Sequence, residues 1–324
     1  MKGLLAWWER LCAASKLLRF MDLNLRGIGQ VMFQNNPLSG LLFFIAIGWG
    51  SYAAGAPQIA IGGLVGVFTA TATALWLRVK TEDVAAGLFG YNAYLTGLAL
   101  PTFLAAGPLL WIYVVLGGAV SVVATLAVAN MFRTWGVAAL TAPFVLVSWL
   151  LLLAAFAFSG IDGSALPLTG GYVTPIDPAA ANPLQFGDFL QGILKSVSQV
   201  FLKGNVVSAL LLLAGLAVSS IASAVFAVVG ALVAVITAHA LGAESELITG
   251  GLLGFSPVLT AIALGAVFYK PSLRVVVYAL VGTVFTVIVQ AAMNVALTPF
   301  AIPTLTGPFV LASWLFLLPR QHFE

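Results

Sequence analysis

Two glutamines, two threonines and a small set of aromatic and branched aliphatic residues recur in this chain at nearly fixed separations. Gln30 opens QVMFQNNPLSGLL (30–42) and Gln199 opens QVFLKGNVVSALL (199–211), with six of thirteen positions identical at an offset of 169. Each glutamine is a neutral amide with donor and acceptor on one side chain. Thr141 and Thr306 head TAPFVLVSWLLLL (141–153) and TGPFVLASWLFLL (306–318), with ten of thirteen identical at an offset of 165. The proline two residues on lacks an N–H and frees a carbonyl one turn back. A threonine hydroxyl beside it can re-satisfy the backbone or offer oxygen to a solute. Tyr91 and Phe255 lie in GLFGYNAYLTGLAL (87–100) and GLLGFSPVLTAIAL (251–264), with seven of fourteen identical at an offset of 164. Each precedes a leucine, Leu95 or Leu259, by four residues, which puts aromatic and aliphatic on one helix face. Phe33 follows Gln30 by three. Such residues recognise a neutral polar solute by hydrogen bonding and shape. A plainer role is open for each: interhelical hydrogen bonding for the glutamines, worth roughly 0.6–2 kcal/mol, backbone bonding for the threonines, and core packing for the aromatics. Their duplication favours the solute path.

The three pairs describe one unit of roughly 150 residues used twice, too long a period for a solenoid repeating every ~20–50 residues. The composition says where such a chain lives. Of 324 residues, 61% are hydrophobic and 7% charged, and the mean hydropathy is +1.10. Soluble domains carry roughly 25% charged residues. A polytopic, all-α membrane protein is implied, and 33 glycines suit packed transmembrane helices. The net charge of +3 is read as basic loops on one side of a bilayer rather than a nucleic-acid surface. Cys12 is the single cysteine, and the two histidines, His239 and His322, are too few and too far apart to suggest a metal site. No phosphate-cradling loop or nucleophile elbow is found, so the chain is read as no enzyme, with no cofactor.

The units divide the chain as follows. Residues 1–26 mix Trp and Leu with Lys2, Arg10, Lys16, Arg19 and Arg26, and are expected to form an interfacial amphipathic, cytoplasmic segment rather than a cleaved signal peptide. The first membrane repeat covers 27–158, the Gly-, Pro-, Asp- and Asn-rich stretch 159–187 is an extracytoplasmic linker loop, and the second repeat covers 188–320. Each repeat accommodates five apolar spans. The residues Arg78, Lys80, Arg133, Lys270, Arg274 and Arg320 fall on one set of span ends, while the opposite ends near 51–56, 105–108, 159–187, 240–246 and 298–303 hold no Lys or Arg. That places both termini in the cytoplasm, with Lys195 and Lys203 as exceptions. An odd number of spans per copy inverts the second repeat relative to the first, and inverted repeats place their solute path between the copies. Thr81–Leu95 and Glu246–Leu259 are short and contain Gly87, Gly90, Gly250, Gly251 and Gly254. They are expected to be re-entrant helices that free carbonyl groups for a solute, or tight loops packed between helices. Carboxylates and histidines inside the spans are nearly missing, and ion-coupled pumps need them; passive movement of a neutral polar solute is favoured.

RGIGQVMFQNNPLSG (26–40), GLFGYNAYL (87–95) and TAPF (141–144), with their echoes in the second half, closely resemble the urea transporter family over about residues 26–320. The resemblance implies a homotrimer in the plasma (inner) membrane, one pore per protomer, conducting urea down its gradient. By motif, Gln30 and Gln199 would sit at the mouths of a narrow slot. Phe33, Tyr91 and Phe255 would be its aromatic walls, Leu95, Val200 and Leu259 its aliphatic walls, and Thr141 and Thr306 its middle. The chain departs from strict repetition where Tyr91 faces Phe255, and where Lys203-Gly204-Asn205-Val206 stands for Gln34-Asn35-Asn36-Pro37. The alternatives are a channel for ammonia, water or short amides, and a proton-coupled transporter using Glu82 or Glu246.

Overall fold

A computed structural model describes residues 2–163, 166 and 178–319. All regular structure among them is helical. The first half holds α1 (Lys2–Ala14), α2 (Lys16–Gln30), α3 (Pro37–Ala53), α4 (Gln58–Trp76), α5 (Thr81–Ala85), α6 (Gly90–Phe103), α7 (Pro108–Phe132) and α8 (Ala142–Ala154). The second holds α9 (Phe186–Gln199), α10 (Val206–Ser219), α11 (Ile221–Ala240), α12 (Ser245–Thr249), α13 (Phe255–Ile262), which continues as a π-helical stretch Ala263–Val267, α14 (Leu273–Leu297) and α15 (Gly307–Leu317). The order α2 to α8 recurs as α9 to α15.

Capping residues set several helix starts, and one pair, Asn36 and Asn205, stands in matched places. The Asn36 side chain accepts from the backbone N–H of Leu38 and Ser39 to open α3, and Pro37 at the first helical position needs no partner for an N–H. Asn205 accepts from Ser208 N–H to open α10. Ser220 and Ser272 do the same for α11 and α14. Unusual backbone also repeats. Phe33 and Leu202 take φ of 63° and 59°, Leu140 and Leu305 take 52° and 49°, and Gly87 and Gly251 take 76° and 74°.

Among the described residues, four helices have the length and apolarity to cross a bilayer: Gln58–Trp76, Pro108–Trp135, Ile221–Ala240 and Leu273–Phe300. Shorter apolar helices, including Pro37–Ala53 and Val206–Ser219, pack among them. The long helices leave Ile112, Val123, Ile236 and Val281 exposed, which fits sides turned to lipid. Contact between α4 and α6 is backbone to backbone: a Cβ on Gly62 or Gly66 would run into the carbonyls of Gly97 or Ala93. Small residues that let backbones meet are the usual membrane packing device.

Two segments differ from the sequence expectation. The expected boundary at residue 26 falls inside α2, which packs against α3, α4 and α6 with Asp22, Leu23 and Asn24 buried. The polar residues are paired: Asp22 accepts from Arg26 (2.9 Å) and from Trp8 Nε1 (2.8 Å), and Asn24 accepts from Thr71 (2.8 Å). Second, the stretch 189–219, expected to hold the counterpart of the span that begins after Asn36-Pro37, carries that helix only from Val206, after a break at 200–205 that follows α9. Of the expected linker 159–187, residues 164–165 and 167–177 lie outside the described residues, as do Arg320 and His322.

Candidate functional site

The helices α2 and α9 both stop inside the protein, and each ends on its glutamine. Gln30 Nε2 donates to Ala86 O (2.8 Å) and Gln199 Nε2 donates to Gly250 O (3.1 Å). The acceptors lie in the turns between α5 and α6 and between α12 and α13. Thr81–Leu95 and Glu246–Leu259 are therefore interrupted helices, and the glutamines fasten the interruptions. Gly87 and Gly251 supply the left-handed backbone there, and a Cβ on either would strike the backbone of α2 or α9.

Beyond Gln30 the chain turns sharply. Gln34 N–H bonds Gly29 O (3.0 Å), and Phe33 sits at positive φ with its ring edge-on to Phe268 (centroids 5.8 Å) and Phe309 (6.2 Å). In the second copy Lys203 N–H bonds Ser198 O (3.2 Å), and Leu202 has the unusual φ. Val200 is 1% exposed. One contiguous apolar cluster takes in Leu95, Val200, Phe255 and Leu259, with Phe33 and Tyr91 packed against it.

Thr141 and Thr306 meet directly, Oγ1 to Oγ1 at 2.6 Å, both buried. The bonds around them are reciprocal. Trp149 Nε1 donates to Pro303 O (2.8 Å) and Trp314 Nε1 donates to Ala138 O (3.0 Å), the same bond with the copies exchanged at an offset of 165. Ser39 Oγ donates to Gly215 O (2.7 Å) and Ser208 Oγ to Ala46 O (2.6 Å), again exchanged, at 169. The same bonds thus recur with the matched positions exchanged, and the threonine pair is its own counterpart.

The ten candidate residues thus fall into three groups: two glutamine-fastened turns, one shared apolar cluster, and one threonine pair. Sequence reasoning passed over Phe268 and the TAPF/TGPF phenylalanines Phe144 and Phe309, which belong to or pack on that cluster. The repeat itself carried the signal for Phe144 and Phe309. It also passed over Asn92, whose Oδ1 accepts from Phe144 N–H (3.3 Å) and whose Nδ2 donates to Thr125 Oγ1 (3.2 Å). Tyr91 Oη donates to Leu140 O (2.8 Å), so its hydroxyl steadies the turn before Thr141 while its ring packs on the cluster. Glu82 and Glu246 are exposed in the first turns of α5 and α12, apart from this cluster. No group of three or more His, Cys, Asp or Glu able to hold a metal occurs among the described residues.

A family model described as urea transporter matches residues 21–321. The chain belongs to the urea transporter family. It is 31% identical over 307 residues to Urea transporter 1 of Ovis aries, covering 93% of this chain and 77% of the relative. Urea transporter 1 of Rattus norvegicus and of Mus musculus each match at 31% over 305 residues, with the same shares covered. Family membership makes the chain a membrane-embedded, multi-pass transport protein rather than an enzyme.

Proposed function

We propose that this protein conducts urea passively across the plasma (inner) membrane, through a narrow slot between two inverted copies of one membrane unit. The observation that carries this reading is the Thr141–Thr306 contact, where residues 165 apart in sequence meet at 2.6 Å on the relation that exchanges the copies. A path along that relation is lined alike by both halves. The C-terminal ends of α2 and α9 bring carbonyl oxygens and the negative ends of two helix dipoles toward it. Urea is planar, neutral and rich in N–H donors, so carbonyl and glutamine oxygens at the mouths replace its water. The rings of Phe33, Tyr91 and Phe255, with Leu95, Val200 and Leu259, give a flat slot, and the threonine hydroxyls offer oxygen halfway. A slot of that kind rejects ions that cannot shed their hydration, and binding stays weak enough for release. Five spans and one re-entrant helix per copy, both termini cytoplasmic and a homotrimer with one slot per protomer complete the proposal. The interruptions at 86–89 and 250–254 and the buried ends of α2 and α9 both support discontinuous helices beside the path. The exposed positions of Glu82 and Glu246 argue against a proton carrier.

Stopped-flow flux in proteoliposomes, comparing urea, thiourea, water and glycerol, tests the proposal. Urea flux is expected to be linear in the gradient and indifferent to an uncoupler. Accumulation of urea against its gradient, or uptake that collapses with the uncoupler, rules it out.

A further inference from the structure

We infer that a cleft at the N-terminal end of the first copy binds the phosphate of an acidic phospholipid headgroup. It lies between α1 and α2 on one side and the end of α4 with α5 on the other, with a volume of about 710 Å³. Lys16, Arg19 and Arg78 line it over an apolar floor that includes Cys12, Leu23 and Val84, and no carboxylate is part of the lining. Among the described residues the one ion pair is Arg26–Asp22, so none of these three cations is held by a carboxylate. A cleft with cationic walls and an apolar floor matches a molecule with an anionic head and an apolar body.

Two further observations point to the same ligand. First, Trp76 (79%), Leu17 (70%) and Trp7 (53%) are exposed on α4, α2 and α1, the helices that also supply cleft residues. Tryptophan beside exposed aliphatics marks the level of the bilayer interface, where a headgroup enters sideways. Second, the charge belongs to this copy alone. At the repeat offsets, Lys16, Arg19 and Arg78 correspond to Gln185, Asp188 and Gly242. Arg78 and Gly242 both take the left-handed backbone, with φ of 53° and 72°. Glycine holds that conformation without strain.

Thermal unfolding of the detergent-purified full chain, titrated with phosphatidylglycerol, phosphatidylcholine or inorganic phosphate, tests this. Phosphatidylglycerol is expected to raise the midpoint saturably and phosphatidylcholine to leave it unchanged. The Arg78→Gly variant carries the residue of the other copy at a glycine-compatible backbone, so it retains the fold. It is expected to need about fivefold more phosphatidylglycerol for half-saturation, and Lys16→Gln and Arg19→Gln about fivefold each, the equivalent of ~1 kcal/mol per basic residue. If inorganic phosphate reproduces the stabilisation, and Arg78→Gly weakens that too, the phosphate site stands and its ligand is soluble. Equal effects of the two lipids on the wild type, or a phosphatidylglycerol effect unchanged in all three variants, would overturn the inference.

Discussion

In the first copy, the contact of α4 with α6 closes on a glycine: a Cβ at Gly62 would meet the Gly97 carbonyl and approach Pro101 to 2.8 Å. In the second copy the bulk has changed sides. Phe226 stands at the position of Gly62, Gly265 at that of Pro101, and the Phe226 ring fills the space a Cβ on Gly265 would need. The small–large exchange keeps two helices in register while the residues differ, and Gly265 lies within the π-helical stretch Ala263–Val267. A similar exchange holds the turn before each threonine. The first copy uses Tyr91 and Asn92 on Leu140 O; the second uses Gln290 Nε2 donating to Thr304 Oγ1 (2.7 Å). Outer packing is free to trade partners as long as volume and hydrogen bonding are conserved. The glutamines, the threonines and the leucines Leu95 and Leu259 do not trade, which is expected if both copies face one solute.

The sharpest way to break this comparison is at the glutamines. Replacing Gln30 by Leu removes an amide that offsets urea desolvation, and leaves Ala86 O without its partner, at about 1–3 kcal/mol. Urea flux is expected to fall about tenfold, since ~1.4 kcal/mol is a factor of ten. Gln199→Leu is expected to match it. Unequal losses, measured by stopped flow, would mean the copies contribute unequally.

Packing gives the next largest effect. Gly62→Ala drives a Cβ into backbone that cannot yield and is expected to destabilise by about 2–3 kcal/mol. Gly265→Ala meets a ring that can swing, and is expected to cost about half as much. Midpoints of thermal unfolding rank the two, and the reverse order would discredit the exchange described for Phe226. A smaller effect is expected at the threonines. Thr141→Val and Thr306→Val each strand a buried hydroxyl at about 1–2 kcal/mol, while the double variant strands none. It should cost clearly less than the sum of the two; simple additivity would mean the 2.6 Å contact carries no coupling.

The smallest expected effect concerns Lys203, buried and matched to Gln34. Lys203→Gln should alter urea flux by less than about threefold, or ~0.6 kcal/mol, because its side-chain stem packs beside Gly50 of α3. A large change would assign the lysine to the path.

The recurring motifs and the two short glycine-rich segments were legible in the sequence because each rests on residues whose type is constrained; that Thr141 and Thr306 meet was not. Glycines at 87 and 251 are required where φ is positive, and Thr-x-Pro-Phe keeps its register in both copies. The inserted nature of α2 was not legible. Asp22, Asn24 and Arg26 give it the pattern of a surface helix, and their partners Trp8, Thr71 and Asn35 together with the internal Arg26–Asp22 pair make it tolerable inside. Such pairings are tertiary facts with no local signature. The break at 200–205 had one faint signal, Gly204-Asn205, but Leu202 carries the positive φ, and leucine gives no warning of that backbone. Asn92 escaped notice because its counterpart is Ser256, so repetition did not single it out.

The most direct test of the central claim, that both copies line one path, is urea flux through Leu95→Trp and Leu259→Trp made separately. Both leucines are fully buried in the shared cluster. With each variant confirmed as a folded oligomer, either tryptophan alone is expected to abolish stopped-flow urea flux. Flux that survives both substitutions, or that responds to only one of them, would contradict a single slot shared by the two copies.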